Sequence, residues 1–256
     1  MPKKIAADAF DVVSRAAIAF GDSRRPQTPR AKGQVLWTRI IQRHHFSGIY
    51  HFLGYDFPMP KPKRPTPALI NSYLRKWETL DNYIMQERSL SLLFNKFCPG
   101  NTRLENVLLK VTALNAFYST NIFATFQVAK HILRLKIDDR LKKGDQLLVN
   151  DLARVKISGT RKNFYSFASK YCNHHVPDQY PIFDYYVEKM LWHYSKTDGF
   201  AQFTKKDLKN YSQFVRVITA FRKFYKLGNF SLRQIDIYLW LAGKKCFPRN
   251  YGKRKK

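Results

Sequence analysis

One acidic residue near the middle of the chain stands where a reactive carboxylate could face a ligand. Asp184 ends the proline-containing segment Tyr-Pro-Ile-Phe-Asp, and a helical apolar pattern begins directly after it. A carboxylate presented at a helix start can stabilise a developing positive charge or activate a water molecule. Asp is also a frequent helix N-cap, a role that needs no catalytic duty. The sequence leaves both roles open for Asp184.

A short basic turn precedes this aspartate. The segment VKISGTRKN contains one glycine, Gly159, followed by Arg161 and Lys162. Backbone N–H groups of such a turn, together with the N-terminus of the next helix, can hold a phosphate group. The residues predicted to do so are Ser158, Gly159, Thr160 and Arg161.

Two helices must position the turn and the aspartate. A very short helix capped by Asn150 or Asp151 is predicted to end at Val155, and a second is predicted over Arg161–His175. The second helix carries a buried face at spacing i, i+3, i+4, i+7 and i+8, made of Phe164, Phe167, Ala168, Tyr171 and Cys172. A third helix begins at Asp184.

This order of helix, glycine hairpin, helix, loop and Asp resembles the helix-hairpin-helix superfamily of DNA glycosylases, in a divergent form. The family's hairpin reads roughly L-P-G-x-G-x-K-x-A, and a catalytic Asp follows after an apolar-Pro-apolar stretch. Lys162 would hold the lysine position and Asp184 the catalytic position. The sequence departs from the pattern because Ser158 replaces the Pro-Gly lead, only Gly159 is present where the family has two glycines, and the Lys–Asp separation is longer.

The resemblance implies a hydrolase that flips one base out of DNA and cleaves its N-glycosidic bond. Asp184 would stabilise the positive charge that builds on the deoxyribose, and the hairpin would hold a DNA phosphate. Lys162 would attack C1′ if the enzyme also has lyase activity. Its other interpretation is a phosphate contact or a solvated lysine. The substrate would be a damaged or modified base, in base-excision repair or in defence against modified phage DNA.

A second polar stretch, LNAFYSTNIF, lies at a predicted break between helices. In the resembled family, this junction often supplies side chains that line the base pocket or insert into the strand. Asn115, Tyr118 and Asn121 are therefore candidate substrate-binding residues, because amides can pair with base edges and aromatic rings can stack on a flipped base. A capped turn with aromatic residues in the core is the alternative interpretation.

The cluster Cys172, His174 and His175 has the residue types of a zinc site but not the spacing. Cys-x-His-His places the three side chains on different helix faces, and structural zinc sites use four paired ligands. We therefore expect no metal and no cofactor, with His175 packed at the helix end or near the DNA. The three cysteines of the chain are widely spaced, which suits a reducing compartment and predicts a cytoplasmic protein.

The charge balance predicts the partner. The 256 residues contain 46 Lys and Arg against 18 Asp and Glu, a formal net charge of +28. Such an excess opposes compaction through self-repulsion and is typical of proteins that bind a polyanion. Double-stranded DNA is the expected partner of a monomer, and no apolar run is long enough to span a membrane.

The fold class expected is all-α, a multi-helix glycosylase-like fold with a helix-hairpin-helix motif and about eight to ten helices. Predicted boundaries give a basic N-terminal arm and linker at 1–66, a helical domain at 67–243 and a basic tail at 244–256. A short helix over residues 5–20 is expected within the arm. Within the helical domain, an apolar stripe at helical spacing runs from Ile70 to Ile84. Thr66 with Pro67 and Ser231 with Gln234 are expected to begin helices, Thr204 to cap another, and Gly243 to end the last. The alternative functions are a non-enzymatic basic protein that binds DNA through the same hairpin, or one that binds RNA.

Overall fold

The computed structural model of the protein describes residues 59–249, and these residues form a mostly helical structure with one small sheet. The mostly helical prediction is confirmed, and the two-stranded sheet is the departure from it. A π-helix spans Leu93–Phe97 and a 3-10 helix spans Asp207–Lys209. The other elements, in chain order, are α1 (Pro67–Trp77), α2 (Asp81–Leu92), α3 (Leu104–Tyr118), α4 (Thr125–Arg134), α5 (Asp138–Lys142), α6 (Leu147–Ala153), β1 (Arg154–Ile157), β2 (Thr160–Asn163), α7 (Tyr165–His175), α8 (Tyr185–Asp198), α9 (Tyr211–Phe224) and α10 (Leu232–Cys246).

The start of α1 follows its sequence signals. The Thr66 side chain accepts a hydrogen bond from Leu69 N at 3.2 Å, and Pro67 occupies the first helical position. The apolar stripe from Ile70 to Ile84 nevertheless divides into two helices. Thr79 Oγ1 donates to the Lys76 carbonyl at 2.8 Å, a local bond that competes with the helical ladder and accompanies the end of α1.

The hairpin is a β-ribbon, which corrects the prediction of a helix starting at Arg161. Strand β2 pairs antiparallel with β1, and α7 begins only at Tyr165. The two loop residues, Ser158 and Gly159, have φ angles of 46° and 79°. Positive φ at both positions is the feature of a type I′ turn, whose twist matches that of paired strands. Lys162 consequently lies on a strand and pairs with Val155 across the ribbon.

The cap predicted at Asn150 or Asp151 is also wrong, because α6 starts at Leu147 and both residues lie inside it. Their side chains make longer-range contacts. Asn150 Oδ1 accepts from Tyr211 N at 2.9 Å, and Asp151 Oδ2 accepts from Arg140 at 2.8 Å. Asn150 therefore ties α6 to the start of α9.

The C-terminal helices follow some of their signals and not others. Ser231 and Gln234 form the predicted capping box of α10. Thr204 caps no long helix, because it bonds reciprocally with Asp207 in a turn, and α9 is capped by Asn210 instead.

Gly243 does not end α10, which continues to Cys246. A Cβ at position 243 would lie 2.7 Å from Tyr186 Cβ and 3.1 Å from the Tyr186 carbonyl. The glycine therefore permits close packing of α10 on α8.

The core is rich in buried tyrosines whose hydroxyls all find partners. Tyr211 donates to the Pro181 carbonyl at 2.8 Å, and Tyr194 pairs with Tyr238 at 2.7 Å. A buried Tyr contributes a large apolar area but stays favourable only when its hydroxyl is hydrogen-bonded. The Tyr211 bond fixes the loop between α7 and α8, which presents Asp184.

Residues 59–66 form no helix or strand and lie against the helical domain. Pro65 is buried, and the Lys63 carbonyl accepts a 2.7 Å hydrogen bond from Tyr194 Oη. Arg64 lies 3.4 Å from Asp198 at the end of α8. The short helix predicted over residues 5–20 lies outside the described residues, and the three domain boundaries stay predictions. No helix among residues 59–249 is both long and apolar enough to cross a bilayer.

Candidate active site

Asp184 is the N-cap of α8 and uses only one carboxylate oxygen for this role. Its backbone is extended, and Oδ1 accepts from Tyr186 N at 2.8 Å and from Val187 N at 2.9 Å. Within residues 59–249, no hydrogen bond or ion pair uses Oδ2. The preceding residue is fixed because Phe183 N donates to the buried Ser169 hydroxyl at 3.0 Å. One oxygen therefore holds the helix, and the other is available to a ligand on a half-exposed side chain.

A buried lysine on α7 belongs to the same region. Lys170 is 5% exposed, and its Nζ donates to Ser166 Oγ at 2.6 Å. The ammonium lies 5.2 Å from the centre of the Tyr118 ring. Burial lowers the pKa of Lys170, and the carboxylates of Asp184 and Asp236 act against this shift. The site thus contains an amine with weakened basicity within electrostatic reach of Asp184.

A second carboxyl group approaches from α10. Asp236 is 7% exposed and accepts a hydrogen bond from Arg233, which also donates to Glu87 Oε1 at 2.7 Å. Burial raises the pKa of Asp236 to about 7, against the lowering effect of Arg233, and the Asp184 charge raises it further. Asp236 can therefore exchange a proton near neutral pH.

Tyr118 of α3 and His174 of α7 lie next to Lys170 in the same region. Tyr118 Oη lies 3.1 Å from His174 Nε2. Burial lowers the pKa of His174 to about 3, and the positive charges of Arg233 and Lys170 add to this effect. His174 is therefore neutral at physiological pH and can share one hydrogen bond with the phenol. We call Asp184, Lys170, Asp236, Tyr118 and His174 the Asp184 cluster.

The chemistry available to the Asp184 cluster follows from these environments. A carboxylate with a free oxygen can stabilise positive charge or orient water, and a carboxyl group titrating near pH 7 can donate or accept a proton. A desolvated lysine is the type of amine that enzymes use as a nucleophile. The arrangement is suited to acid–base or nucleophilic chemistry on a ligand that reaches Asp184.

The hairpin residues predicted to hold phosphate lie on an exposed surface. Arg154, Lys156 and Arg161 share one face of the ribbon, since strand side chains alternate and Lys156 pairs directly with Arg161. Like charges opposite one another destabilise a ribbon. Lys162 is exposed on the other face, with no hydrogen bond or ion pair in the described part of the chain. The structure therefore gives Lys162 no contact with the Asp184 cluster.

The junction between α3 and α4 uses one predicted substrate ligand for its own turn. Asn115 Oδ1 accepts from Thr120 Oγ1 at 2.6 Å and from Ile122 N at 2.9 Å, and its amide donates to the Ile122 carbonyl. Asn121 is exposed with a φ of 56°. Of the three predicted substrate ligands, Tyr118 alone lies in the Asp184 cluster.

Three functional candidates were missed by sequence reasoning. Lys170 sits at the edge of the apolar face of α7, where a lysine is easily taken as solvated, and Asp236 lies in a helix of ordinary amphipathic pattern. Phe123 is 96% exposed at the α3–α4 junction, beside the polar stretch that drew attention. Its apolar neighbours in sequence concealed its exposure.

Cys172 and His175 of α7 are used for packing. Cys172 is fully buried, and His175 Nε2 lies 3.3 Å from both Lys110 Nζ and the Asn101 amide. Burial lowers the pKa of Lys110 to about 8 and that of His175 to about 3. Across residues 59–249, no group of three or more His, Cys, Asp or Glu side chains is arranged to hold a metal ion.

Fold and site together define a mostly helical protein with a cationic β-ribbon and a partly buried carboxylate–amine cluster. A family model described as "HI_0787_N: N-terminal domain" matches residues 69–179. A protein of Haemophilus influenzae named "Uncharacterized protein" is 44% identical over 173 residues, which cover 65% of this chain and 83% of that protein. The chain belongs to the same family as this relative. No solved structure matches the chain.

Proposed function

We propose that the protein is a DNA N-glycosylase that flips out a damaged or modified base and hydrolyses its N-glycosidic bond. The observation that carries the proposal is the arrangement at Asp184, where one oxygen caps α8, the other has no partner within residues 59–249, and the carboxylate acts electrostatically on the buried Lys170. Bond cleavage builds positive charge on the sugar, and a fixed carboxylate stabilises that charge without rearranging. The net charge of +28 supports a polyanionic substrate.

Two surface features support DNA as the polymer. The ribbon face bearing Arg154, Lys156 and Arg161 offers three cations to phosphates. Phe123 projects from the junction next to α3, the helix that ends with Tyr118. An exposed aromatic ring of this kind can enter the space left by a flipped nucleotide. We propose that the ribbon binds the DNA phosphate backbone and that the Phe123 ring fills the space that the flipped base leaves in the duplex.

The test is excision from duplexes that each carry one modified base, followed by cleavage of abasic sites. Asp184→Asn keeps an N-cap acceptor and removes the charge, so the fold is retained while excision falls roughly 100-fold or more. Asp139→Asn, an exposed carboxyl on α5, is the matched control and should leave excision unchanged. Full activity of Asp184→Asn on any excised base would refute the role assigned to this carboxylate.

A lyase step would require an amine that attacks C1′, displaces the base and forms a Schiff base. Lys162 is the candidate from sequence, and Lys170 is the candidate from its environment. Borohydride reduction of the imine traps the covalent complex. Loss of trapping in Lys170→Met with retention in Lys162→Ala would assign the step to Lys170, and the reverse pattern would assign it to Lys162.

The second candidate function is non-enzymatic DNA binding through the ribbon. The exposed cations of the ribbon favour it, since they have no ion pair in the part of the chain that the structure describes and such a face binds phosphate without any reaction. Under this function no base is released, and Asp184→Asn strengthens DNA binding slightly by removing a negative charge. The excision assay and a binding curve therefore distinguish the two functions.

A further inference from the structure

The outward face of α8 alternates aromatic and basic residues from Asp184 onward. Tyr185, Lys189, Trp192 and Lys196 follow one another at i, i+4, i+7 and i+11, which places them on one side of the helix. The opposite side carries the buried residues, which are Val187, Met190, Leu191 and Tyr194. We call the first four residues the α8 stripe. The stripe is half-exposed to exposed along its length.

Each ring of the stripe is flanked by two cations. Lys189 Nζ lies 5.5 Å from the centre of the Tyr185 ring, and Arg249 Cζ lies 4.2 Å from it. The Trp192 ring has Lys196 Nζ at 4.6 Å and Lys205 Nζ at 5.1 Å. Cation–π contacts of this length orient the cations and leave their remaining N–H donors available.

The acidic residues of α8 do not neutralise these cations. Glu188 pairs with Lys209, and Asp198 pairs with Arg64 and accepts from Tyr225 Oη at 2.7 Å. Within residues 59–249, no carboxylate lies within ion-pair distance of the four cations around Tyr185 and Trp192. Four unneutralised charges around two half-buried rings are costly in isolation and are offset by a polyanion.

We propose that the α8 stripe, with Lys205 and Arg249, binds a single-stranded segment of DNA that continues from the nucleotide at Asp184. Bases stack on Tyr185 and Trp192, and the cations contact the phosphates between them. This combination of stacking rings and a positive track is the general mode of binding unpaired strands. The stripe runs about 16 Å along the helix, the length of a few nucleotides.

The inference rests on the proposed function in taking DNA as the polymer and Asp184 as the position of the reacting nucleotide. The stripe begins at the residue after Asp184, so a strand lying on it leads directly to the free carboxylate oxygen. Binding is measured without excision, and excision is measured separately. Loss of binding and loss of activity are therefore distinguishable.

The experiment measures fluorescence anisotropy of a labelled twelve-nucleotide single strand with the full chain and its variants. Trp192→Ala should weaken binding roughly 10-fold through lost stacking, while Trp192→Phe should keep most of the affinity. Lys189→Glu with Lys196→Glu should weaken binding more than Lys142→Glu with Lys143→Glu. The latter pair is exposed on and beside α5 and changes the net charge equally.

Several outcomes would overturn the inference. Equal losses from the two double variants would assign binding to net charge alone. Unchanged affinity in Trp192→Ala would exclude stacking at the stripe. The stripe would be assigned to another partner if duplex DNA, RNA of the same sequence or vesicles containing phosphatidylserine bound more tightly than the single strand and lost this binding in Trp192→Ala. Stripe-dependent binding without excision of any base would leave the binding of a single strand by the stripe standing and refute the proposed function.

Discussion

Asp184 caps α8, and we propose that it is also the catalytic carboxylate, two roles that are usually treated as alternatives. Its Oδ1 accepts from Tyr186 N and Val187 N, and its Oδ2 has no partner in the described part of the chain. A capping carboxylate is held rigidly, and its charge is favoured by the helix N-terminus. Capping therefore supports a catalytic role for Asp184, because it fixes the direction of the free oxygen.

The neutral state of His174 gives a prediction for stability against pH. Its pKa is about 3 in the folded protein and about 6.5 in the unfolded chain. Below pH 6.5 the His174 imidazole is therefore protonated in the unfolded state but stays neutral in the folded state. Stability consequently falls as pH falls from 6.5 towards 3. His174→Gln removes this loss and keeps a side chain that can accept from Tyr118.

Urea unfolding of both proteins at pH 7.5 and pH 5 tests this prediction. The free energy of unfolding of the wild type, relative to that of His174→Gln, should fall by about 2 kcal/mol from pH 7.5 to pH 5. The interval from the unfolded pKa of about 6.5 down to pH 5 is about 1.5 pH units, which corresponds to about that energy. His175 and Asp236 titrate in both proteins and cancel from the difference. An advantage that is equal at both pH values would mean that His174 is protonated in the folded state.

At the residue scale, the sequence predicted what local signals encode and missed what the tertiary fold creates. The position of Asp184 at the start of a helix could be predicted, because a proline-bounded loop precedes it and an apolar stripe follows it. The environment of Lys170 could not be predicted, because it includes the Tyr118 ring from α3 and the charge of Asp236 from α10, which only the tertiary fold brings near. Lys162 was placed in the site on the assumption of a helix that the chain does not form.

At the scale of elements, capping residues with complete motifs were read correctly. Ser231 with Gln234 and Thr66 with Pro67 begin helices as predicted. Single residues without a partner motif did not predict helix ends correctly. Thr204 bonds with Asp207 in a turn, and Gly243 lies within α10. A glycine at a helix end and a glycine at a helix contact look identical in sequence, and only the position of α8 separates them.

The contact of α10 with α8 yields a prediction at Gly243. Gly243→Ala places a methyl 2.7 Å from Tyr186 Cβ, an overlap that costs about 1–3 kcal/mol of stability. Because Tyr186 N is one of the two donors to Asp184, the shift should also lower excision activity. Thermal unfolding and the excision assay measure the two effects.

Gly228→Ala is the matched control for this substitution. A Cβ at Gly228 meets no atom within 4 Å, and its backbone requires no positive φ. This substitution should be neutral or slightly stabilising, since it restricts the unfolded chain. A Gly243→Ala protein as stable as the Gly228→Ala protein would contradict the close packing of the two helices.

At the scale of the whole molecule, residues 59–249 present positive charge on two separate surfaces. The ribbon presents Lys156 and Arg161 opposite each other, and α8 presents cations around its two rings. Composition predicted a polyanionic partner but could not divide the surface, because the division depends on which strands and helix faces reach solvent.

The ribbon cations predict a specific salt dependence of duplex binding. The logarithm of the binding constant should fall with the logarithm of salt concentration, and Lys156→Ala with Arg161→Ala should reduce the slope by about 2. Anisotropy titrations from 50 to 200 mM salt, in both proteins, measure the two slopes. An unchanged slope in the variant would remove the ribbon from the duplex interface.

The segment before α1 sets where the preceding chain joins the domain. Tyr194 holds the Lys63 carbonyl, and Arg64 contacts Asp198 at the last turn of α8. The entry point therefore lies at the opposite end of α8 from Asp184, about 20 Å away along the helix. A fluorophore attached at position 60 would therefore report which end of a bound strand lies near the entry point. Quenching by a label on the 5′ end, or by one on the 3′ end, would give the direction in which the strand runs along α8.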